Sequence, residues 1–344
     1  MKKPFPVLPV NAVIMVSLVA CACIPIPDHR KLAAHDLKPP TLLGVEPVEP
    51  EKVVLRFDEP VAVVEGTILL IPETALKEVV RSEDTLVLEF FDAQTPGAEY
   101  QLEAAVQDDS GNSMNFITRF YGFNPNVPDV LINELTTRGS STHPDLVELF
   151  VCSEGNMAGV CLYEGTPGDW DHRFMFPSLH VKKGDYILVH FKPQGIEEEK
   201  NETGNKMESG GLDASPHAYD FWVKGGSGIS GNNGVISLYS NPAGTILDGV
   251  LYSNRTSESD ENYRGFGRAS TLFRAEELVY AGGWKIAGEE VAPEDAVNPD
   301  GSTATRSICR DSNSTDTDSA EDWHIVPTGS YTFGELNSNE VYEP

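Results

Sequence analysis

Val130-Leu131-Ile132-Asn133-Glu134 is the stretch on which the reading of this chain turns, an apolar run closed by a polar pair that opens a β region. The region continues with Leu146-Val147-Glu148-Leu149-Phe150, Phe174-Met175-Phe176-Pro177 and Gly184-Asp185-Tyr186-Ile187-Leu188-Val189. Val235-Ile236-Ser237-Leu238-Tyr239 and Ile246-Leu247-Asp248-Gly249-Val250 complete it. Short apolar and β-branched runs of this kind are strands. Ala275 to Val279 is the one helix candidate, a turn or two long.

Upstream, Phe123-Asn124-Pro125-Asn126-Val127-Pro128 is a short junction stiffened by proline, which restrains what lies on either side from swinging freely. From Leu42 to Tyr121 apolar residues alternate with period two: Val53, Leu55 and Phe57; Leu86, Leu88 and Phe90; Tyr100, Leu102, Ala104 and Val106. Each set fills one face of a half-buried strand. Asp58-Glu59-Pro60, Thr95-Pro96-Gly97 and Asp109-Ser110-Gly111-Asn112 supply the turns, the last with Gly111 at positive φ. The pattern predicts an Ig-like sandwich of about seven short strands. The chain is thus expected to be all-β, with two Ig-like β-sandwich domains in tandem.

The 344 residues carry 25 Lys and Arg against 53 Asp and Glu, for a net charge of −28. A field of that sign repels phosphate backbones and anionic headgroups, so nucleic acid is excluded as a partner. The N-terminus nevertheless points to a membrane. Lys2 and Lys3 precede an apolar stretch that runs to Ala20, the layout of a secretory signal. A spanning helix needs about 20 apolar residues, and this run would have to pass through Cys21, Cys23 and Pro25 to reach that length.

Leu18-Val19-Ala20-Cys21 resembles the bacterial lipobox. The resemblance implies that residues 1–20 are a signal peptide, that Cys21 carries acyl chains, and that the membrane is touched through this lipid only. With Ala22 next in line it implies outer-membrane sorting. Each buried methylene contributes about 0.8 kcal/mol, so several acyl chains hold a protein of the wrong charge for an anionic surface. Residues 21–40, with Pro25, Pro27, Pro39 and Pro40, read as a tether.

Val54-Leu55-Arg56-Phe57-Asp58-Glu59-Pro60-Val61, with Tyr100-Gln101-Leu102, Asp108 and Gly111-Asn112, resembles the bacterial Ig-like domains of surface-layer and exported proteins. That resemblance covers residues 41–124 and implies a spacer without catalytic residues. Ile132-Asn133-Glu134 and Asp145-Leu146-Val147-Glu148-Leu149 resemble the opening of the lamin-tail domain. Its closing segment is matched by Arg306-Ser307-Ile308-Cys309-Arg310, Asp322-Trp323, Pro327-Thr328-Gly329 and Gly334-Glu335-Leu336-Asn337. This second resemblance covers residues 129–337 and implies an Ig-fold sandwich that binds or anchors without catalysis. Polar inserts at 193–217, containing Glu197-Glu198-Glu199, and at 254–304 depart from the family pattern. Loops on a rigid sandwich are where recognition usually sits.

Asp311-Ser312-Asn313-Ser314-Thr315-Asp316-Thr317-Asp318-Ser319-Ala320-Glu321-Asp322 alternates oxygen ligands with no Lys or Arg inside the stretch, as calcium requires of a loop. Asp311, Asp316, Asp318 and Asp322 are the ligand candidates. Asp316 stands where the EF-hand pattern needs a turn-forming Gly, and Asp322 where it needs a bidentate Glu. A solvated acidic loop is the default reading and calcium the alternative. Cys152 and Cys161 could meet across a hairpin and bridge; free thiols, or a bridge from either to Cys309, are the other possibilities.

Gly226-Ser227-Gly228-Ile229-Ser230-Gly231 fits a dinucleotide-loop pattern, but a strand rather than a helix follows it, so it reads as a hairpin loop. The eight histidines are dispersed without ligand spacing. His180 and His190 are placed to approach across paired strands, and His172 reads as a loop residue. No serine or cysteine acquires a base from its spacing. The expectation is a non-catalytic cell-envelope lipoprotein, with no required cofactor, displaying a binding, scaffold or adhesion module to a protein or envelope polymer. The alternative is a calcium-assisted extracytoplasmic hydrolase, or an accessory subunit of one.

Overall fold

The computed structural model describes residues 36–257 and 259–344. The expected signal peptide, Cys21 and most of the expected tether lie outside the described residues. Within them the chain is all-β apart from one helix and two short 3-10 turns.

Residues 42–121 hold eight strands: β1 (Leu42–Glu49), β2 (Lys52–Phe57), β3 (Val61–Val63), β4 (Leu69–Ile71), β5 (Leu76–Ser82), β6 (Thr85–Phe90), β7 (Glu99–Asp108) and β8 (Ser113–Tyr121). One sheet runs β1-β2-β6-β5; in the other, β7 pairs with β3, β4 and β8. Val53, Leu55 and Phe57 of β2, Leu86, Leu88 and Phe90 of β6, and Tyr100, Leu102 and Val106 of β7 meet in one core. Their neighbours in sequence face water, so burial alternates along β2, β6 and β7. Each fully buried Leu, Val or Phe contributes roughly 1.5–3 kcal/mol relative to exposure. The β7–β8 turn is fixed by Asp108, whose carboxylate accepts the Ser110 and Asn112 amides at 2.8 Å.

Twelve strands follow: β9 (Val130–Thr136), β10 (Leu146–Val151), β11 (Gly155–Asn156), β12 (Cys161–Thr166), β13 (Asp169–Met175) and β14 (His180–Val181). The remainder are β15 (Tyr186–His190), β16 (Ala218–Trp222), β17 (Asn233–Tyr239), β18 (Ile246–Ser253), β19 (Ile308–Cys309) and β20 (His324–Ile325). A six-stranded sheet runs β16-β15-β10-β9-β19-β20, a four-stranded one β13-β12-β17-β18, and β11 pairs with β14. Ile132, Leu149, Ile187 and Phe221 from the first sheet share a core with Leu162, Ile236, Leu238 and Val250 from the second.

Within β9 the opening motif folds irregularly. Glu148 of β10 faces Glu134, whereas the next residue, Leu149, faces Ile132, so Asn133 is the extra residue of a β-bulge. The bulge explains why Ile132 and Leu135, three residues apart, both reach the core. It also turns Asn133 and Glu134 together toward Glu148, on the outer face of the sheet.

The 254–304 insert is not a structureless loop. It contains α1 (Ala269–Tyr280), twelve residues where a turn or two was expected, with Thr271, Arg274, Ala275 and Leu278 buried at helical spacing. Ala275 and Leu278 join the second core. The 193–217 insert has no strand or helix and is organised by buried Glu202, which accepts the amides of Glu208 and Ser209 at 2.8 Å and of Asp220 at 2.9 Å.

The two regions touch at their junction. Asn124 Nδ2 donates to the carbonyls of Asn156 at 2.7 Å and Ala158 at 2.9 Å. Gly97 lies against Gly159 so closely that a Cβ on Gly97 would stand 2.3 Å from the Gly159 nitrogen. None of the described helices is long and apolar enough to cross a membrane.

Candidate functional site

The motif glutamates hold the end of the chain. Glu134 accepts the Thr332 amide at 3.0 and 3.1 Å, the Thr332 hydroxyl at 2.8 Å and the Ser307 hydroxyl. Glu148 accepts the Gly334 amide at 2.5 Å and the Asn133 side chain at 2.7 Å. Asn337 receives a second bond from Asn133 and donates to the Asn133 and Arg310 carbonyls. Opening and closing motifs, some 200 residues apart, are therefore one polar latch. Burial raises both carboxyls, and Glu148 is pushed further by the adjacent Glu134 charge.

Arg310 is fully buried beside this latch. Its guanidinium donates to the Ile132 carbonyl at 2.8 Å, the Thr315 carbonyl at 2.9 Å and both Asp248 oxygens at 3.1 Å. Asp316 lies 3.1 Å and Asp322 3.3 Å from it, and the Trp323 ring covers it at 4.6 Å. Burial outweighs Arg310 and holds the Asp248 carboxyl at about 7.

The structure does not gather the calcium candidates Asp311, Asp316, Asp318 and Asp322 into one ligand group. Asp316 and Asp322 turn to Arg310, Asp318 pairs with Lys285 at 3.2 Å, and Asp311 caps the Asn313 and Thr315 amides at 3.0 and 2.9 Å. The cation that folds the loop is supplied by the chain, one residue ahead of the acidic stretch. Among the described residues the one group of three carboxylates close enough to share an ion is Asp36, Glu59 and Asp108, in the first region.

The expected Cys152–Cys161 bridge is absent, and Cys152, Cys161 and Cys309 are free. Cys152 follows β10 in the six-stranded sheet while Cys161 opens β12 in the four-stranded one, and β11 between them pairs away with β14. Burial pushes the Cys161 thiol up to about 11 and Cys309 further. His180 and His190 do not meet either, since β14 pairs with β11 and β15 with β10 and β16. His190 is buried, 2.7 Å from Asp220, with its ring stacked 3.8 Å from Trp222.

The 254–304 insert builds a cleft in the second region. Arg274 of α1 reaches across to the β12–β13 hairpin and pairs with Asp169 at 2.8 Å and Asp171 at 2.7 Å. Glu277, one turn on, accepts the Thr166 hydroxyl at 2.5 Å. Helix, hairpin and the loop before β17 enclose a polar cavity of about 200 Å³, lined among others by Glu164, Asn233, Arg268, Thr271 and Arg274.

At the edge of this cleft stands a group that spacing did not reveal. His172 belongs to β13, not to a loop, and is the cross-strand partner of Glu164. Its Nδ1 lies 2.6 Å from Glu164 Oε2, and its Nε2 lies 3.5 Å from Ser227 Oγ. Burial raises the Glu164 carboxyl, with the His172 bond acting against it. The Gly226–Gly231 segment is no hairpin loop, because it carries the chain from β16 in one sheet to β17 in the other. Only the strand register, which places His172 opposite Glu164 eight residues earlier, could have exposed this cluster.

A chain of two β regions with an acidic, latch-closed second unit is the class these features define. A family model described as "TP_1001_2nd: protein second domain" matches residues 128–325, more than half of the chain, and the chain belongs to that family. A protein of Treponema pallidum (strain Nichols), described as "Uncharacterized protein", is 26% identical over 160 residues, covering 46% of this chain and 40% of its own length. The chain thus spans well under two thirds of that relative. Among solved structures, the N-terminal part of the bacterial S-layer protein SbsC is 14% identical over 44% of this chain and 40% of its own, at a TM-score of 0.25. Dimeric latent PorU from Porphyromonas gingivalis is 13% identical over 66% of this chain and 21% of its own, at 0.19. Both likenesses are too loose to transfer an architecture.

Proposed function

We propose that this chain is an exported cell-envelope lipoprotein, anchored through lipid on Cys21, that displays a lamin-tail-like binding module on an Ig-like spacer. The observation that carries the reading is the folded 254–304 insert. Arg274 and Glu277 fasten α1 to the β12–β13 hairpin, so the polar cleft is preorganised and its occupant need not bear the entropy of ordering a loop. The first region offers a half-buried, alternating framework suited to spacing. The Asn124 bonds and the Gly97–Gly159 contact support transmission of that spacing without a loose hinge. The partner is a protein or an envelope polymer, in keeping with a net charge of −28 that repels nucleic acid. The calcium-assisted alternative draws no support from residues 311–322, whose carboxylates are engaged by Arg310, Lys285 and backbone amides.

Membrane fractionation with the Cys21→Ser variant tests the anchor: the protein should move to the soluble fraction, and continued tight membrane association contradicts it. Arg268 is exposed at the cleft mouth. Arg268→Glu should abolish capture of an envelope partner at an unchanged melting temperature, and undiminished capture removes the cleft from the account.

A further inference from the structure

We propose that Ser227, His172 and Glu164 form a hydrolytic site for small neutral acyl esters, with Ser227 as nucleophile and His172 as its general base. This goes beyond display and revises the expectation of a chain without catalysis. Glu164 Oε2 lies 2.6 Å from His172 Nδ1, and a carboxylate at that nitrogen selects the tautomer that carries its proton there. The lone pair of Nε2 is then the one that meets the Ser227 hydroxyl, at 3.5 Å. That separation is longer than a formed hydrogen bond, and catalytic pairs without substrate are often this loose. Glu164 is itself held, because its other oxygen accepts the Ser230 amide at 3.1 Å. It is buried, His172 is half-buried and Ser227 is exposed, the gradient a surface-facing nucleophile requires.

The loop that presents Ser227 is tied on both sides. Gly226 donates to the Val223 carbonyl and Gly228 to the Phe191 carbonyl, each at 2.9 Å, and Ile229 donates to Asp145 at 2.9 Å. Among the described residues the amides of Gly225 and Ser227 donate to no protein group, so both are unengaged and can serve a developing oxyanion. In the reaction Ser227 Oγ bonds to the acyl carbon while His172 Nε2 takes the hydroxyl proton. The carbon–oxygen bond to the alcohol breaks, and the alcohol leaves with that proton. Water, deprotonated by the same nitrogen, then attacks the acyl-serine, releases the carboxylic acid and restores Ser227. Ser227 is exposed, which leaves little surface to hold a long chain, so the acyl group is short. The acidic surface disfavours anionic esters.

The full chain is assayed with p-nitrophenyl acetate, and Ser227 acylation is mapped by mass spectrometry after a fluorophosphonate probe. The wild type should label at Ser227 and hydrolyse the ester at least about 100-fold faster than Ser227→Ala or His172→Ala, the scale at which a base contributes. Ser227→Cys should accumulate an acetyl thioester. Glu164→Gln, a positioning change, should lower kcat with KM unchanged, and Glu164→Asp should recover part of the loss. No label at Ser227, or hydrolysis that persists in Ser227→Ala, overturns the proposal. Partner capture by Ser227→Ala should match the wild type, so failure here is separable from failure of the display reading.

Discussion

The two regions of this molecule solve the same problem, closing a pair of sheets, by opposite means. In the first, burial alternates along β2, β6 and β7, and the core is apolar. In the second, β10, β12, β17 and β18 are buried on both faces for most of their length, because α1 and the closing segment cover what would be outer surfaces. Covering an outer face traps polar side chains, and these must then find partners. Glu134, Glu148, Asp248 and Arg310 did so with one another and with the closing segment. The first region is held by what it excludes from water, and the second also by which charges it encloses.

The largest break in this comparison is expected from Arg310→Met. Removing a buried cation strands Asp248 and Asp322, at a cost of about 3–5 kcal/mol. All four tryptophans, Trp170, Trp222, Trp284 and Trp323, lie in the second region. Denaturation followed by tryptophan fluorescence should therefore show the full loss, while the first region, followed by hydrogen exchange, keeps its stability.

Acidity should move the two regions in opposite directions. Burial raises the Glu134 and Glu148 carboxyls above their ordinary range and holds Asp248 at about 7, so the folded second region binds protons that the unfolded chain releases. Stability from these groups is present at low pH and lost as pH rises through the folded values. In the first region the Lys38 ammonium and the Thr41 amide hold Asp58 at about 2, and Glu89 and Asp108 are also lowered, with only a raised Glu59 against them. Stability from the lowered groups is present above the ordinary carboxylate range and lost as pH falls toward 2. Melts at pH 5 and pH 8 should show the second region more stable at pH 5, and Glu148→Gln should flatten that slope.

How much of this could be read from residues alone follows from the same contrast. Val53, Leu55 and Phe57 announce their burial through alternation, because one side of their strand stays wet. Asn133 and Glu134 do not, since only the partner strand reveals the bulge that turns both outward. Nothing in the residues around Arg310 signals its burial, which depends on Asp248, 62 residues earlier. The extent of α1 was hidden because its buried face includes Thr271 and Arg274, which weaken the apolar period.

A smaller effect is expected at the junction. Gly97→Val places side-chain atoms into the Gly159 backbone, and overpacking of this kind costs about 1–3 kcal/mol. The change should loosen the coupling between regions, read as increased exchange at Ala158 and Gly159 with both cores intact. The smallest concerns the thiols. Iodoacetamide should modify half-buried Cys152 well before Cys161 and Cys309, with no change in melting temperature, and mass mapping of all three as free thiols checks the corrected pairing.

The central claim is that the first region spaces and the second binds, and site-specific photo-crosslinking in intact envelopes tests it most directly. A photoreactive residue at Ser270, on the cleft, and another at Ile117, on the exposed face of β8, are compared in the same full-length protein. The account predicts a discrete envelope adduct from position 270 that disappears with Arg268→Glu, and none from position 117. The same adduct from both positions, or from 117 alone, would contradict it.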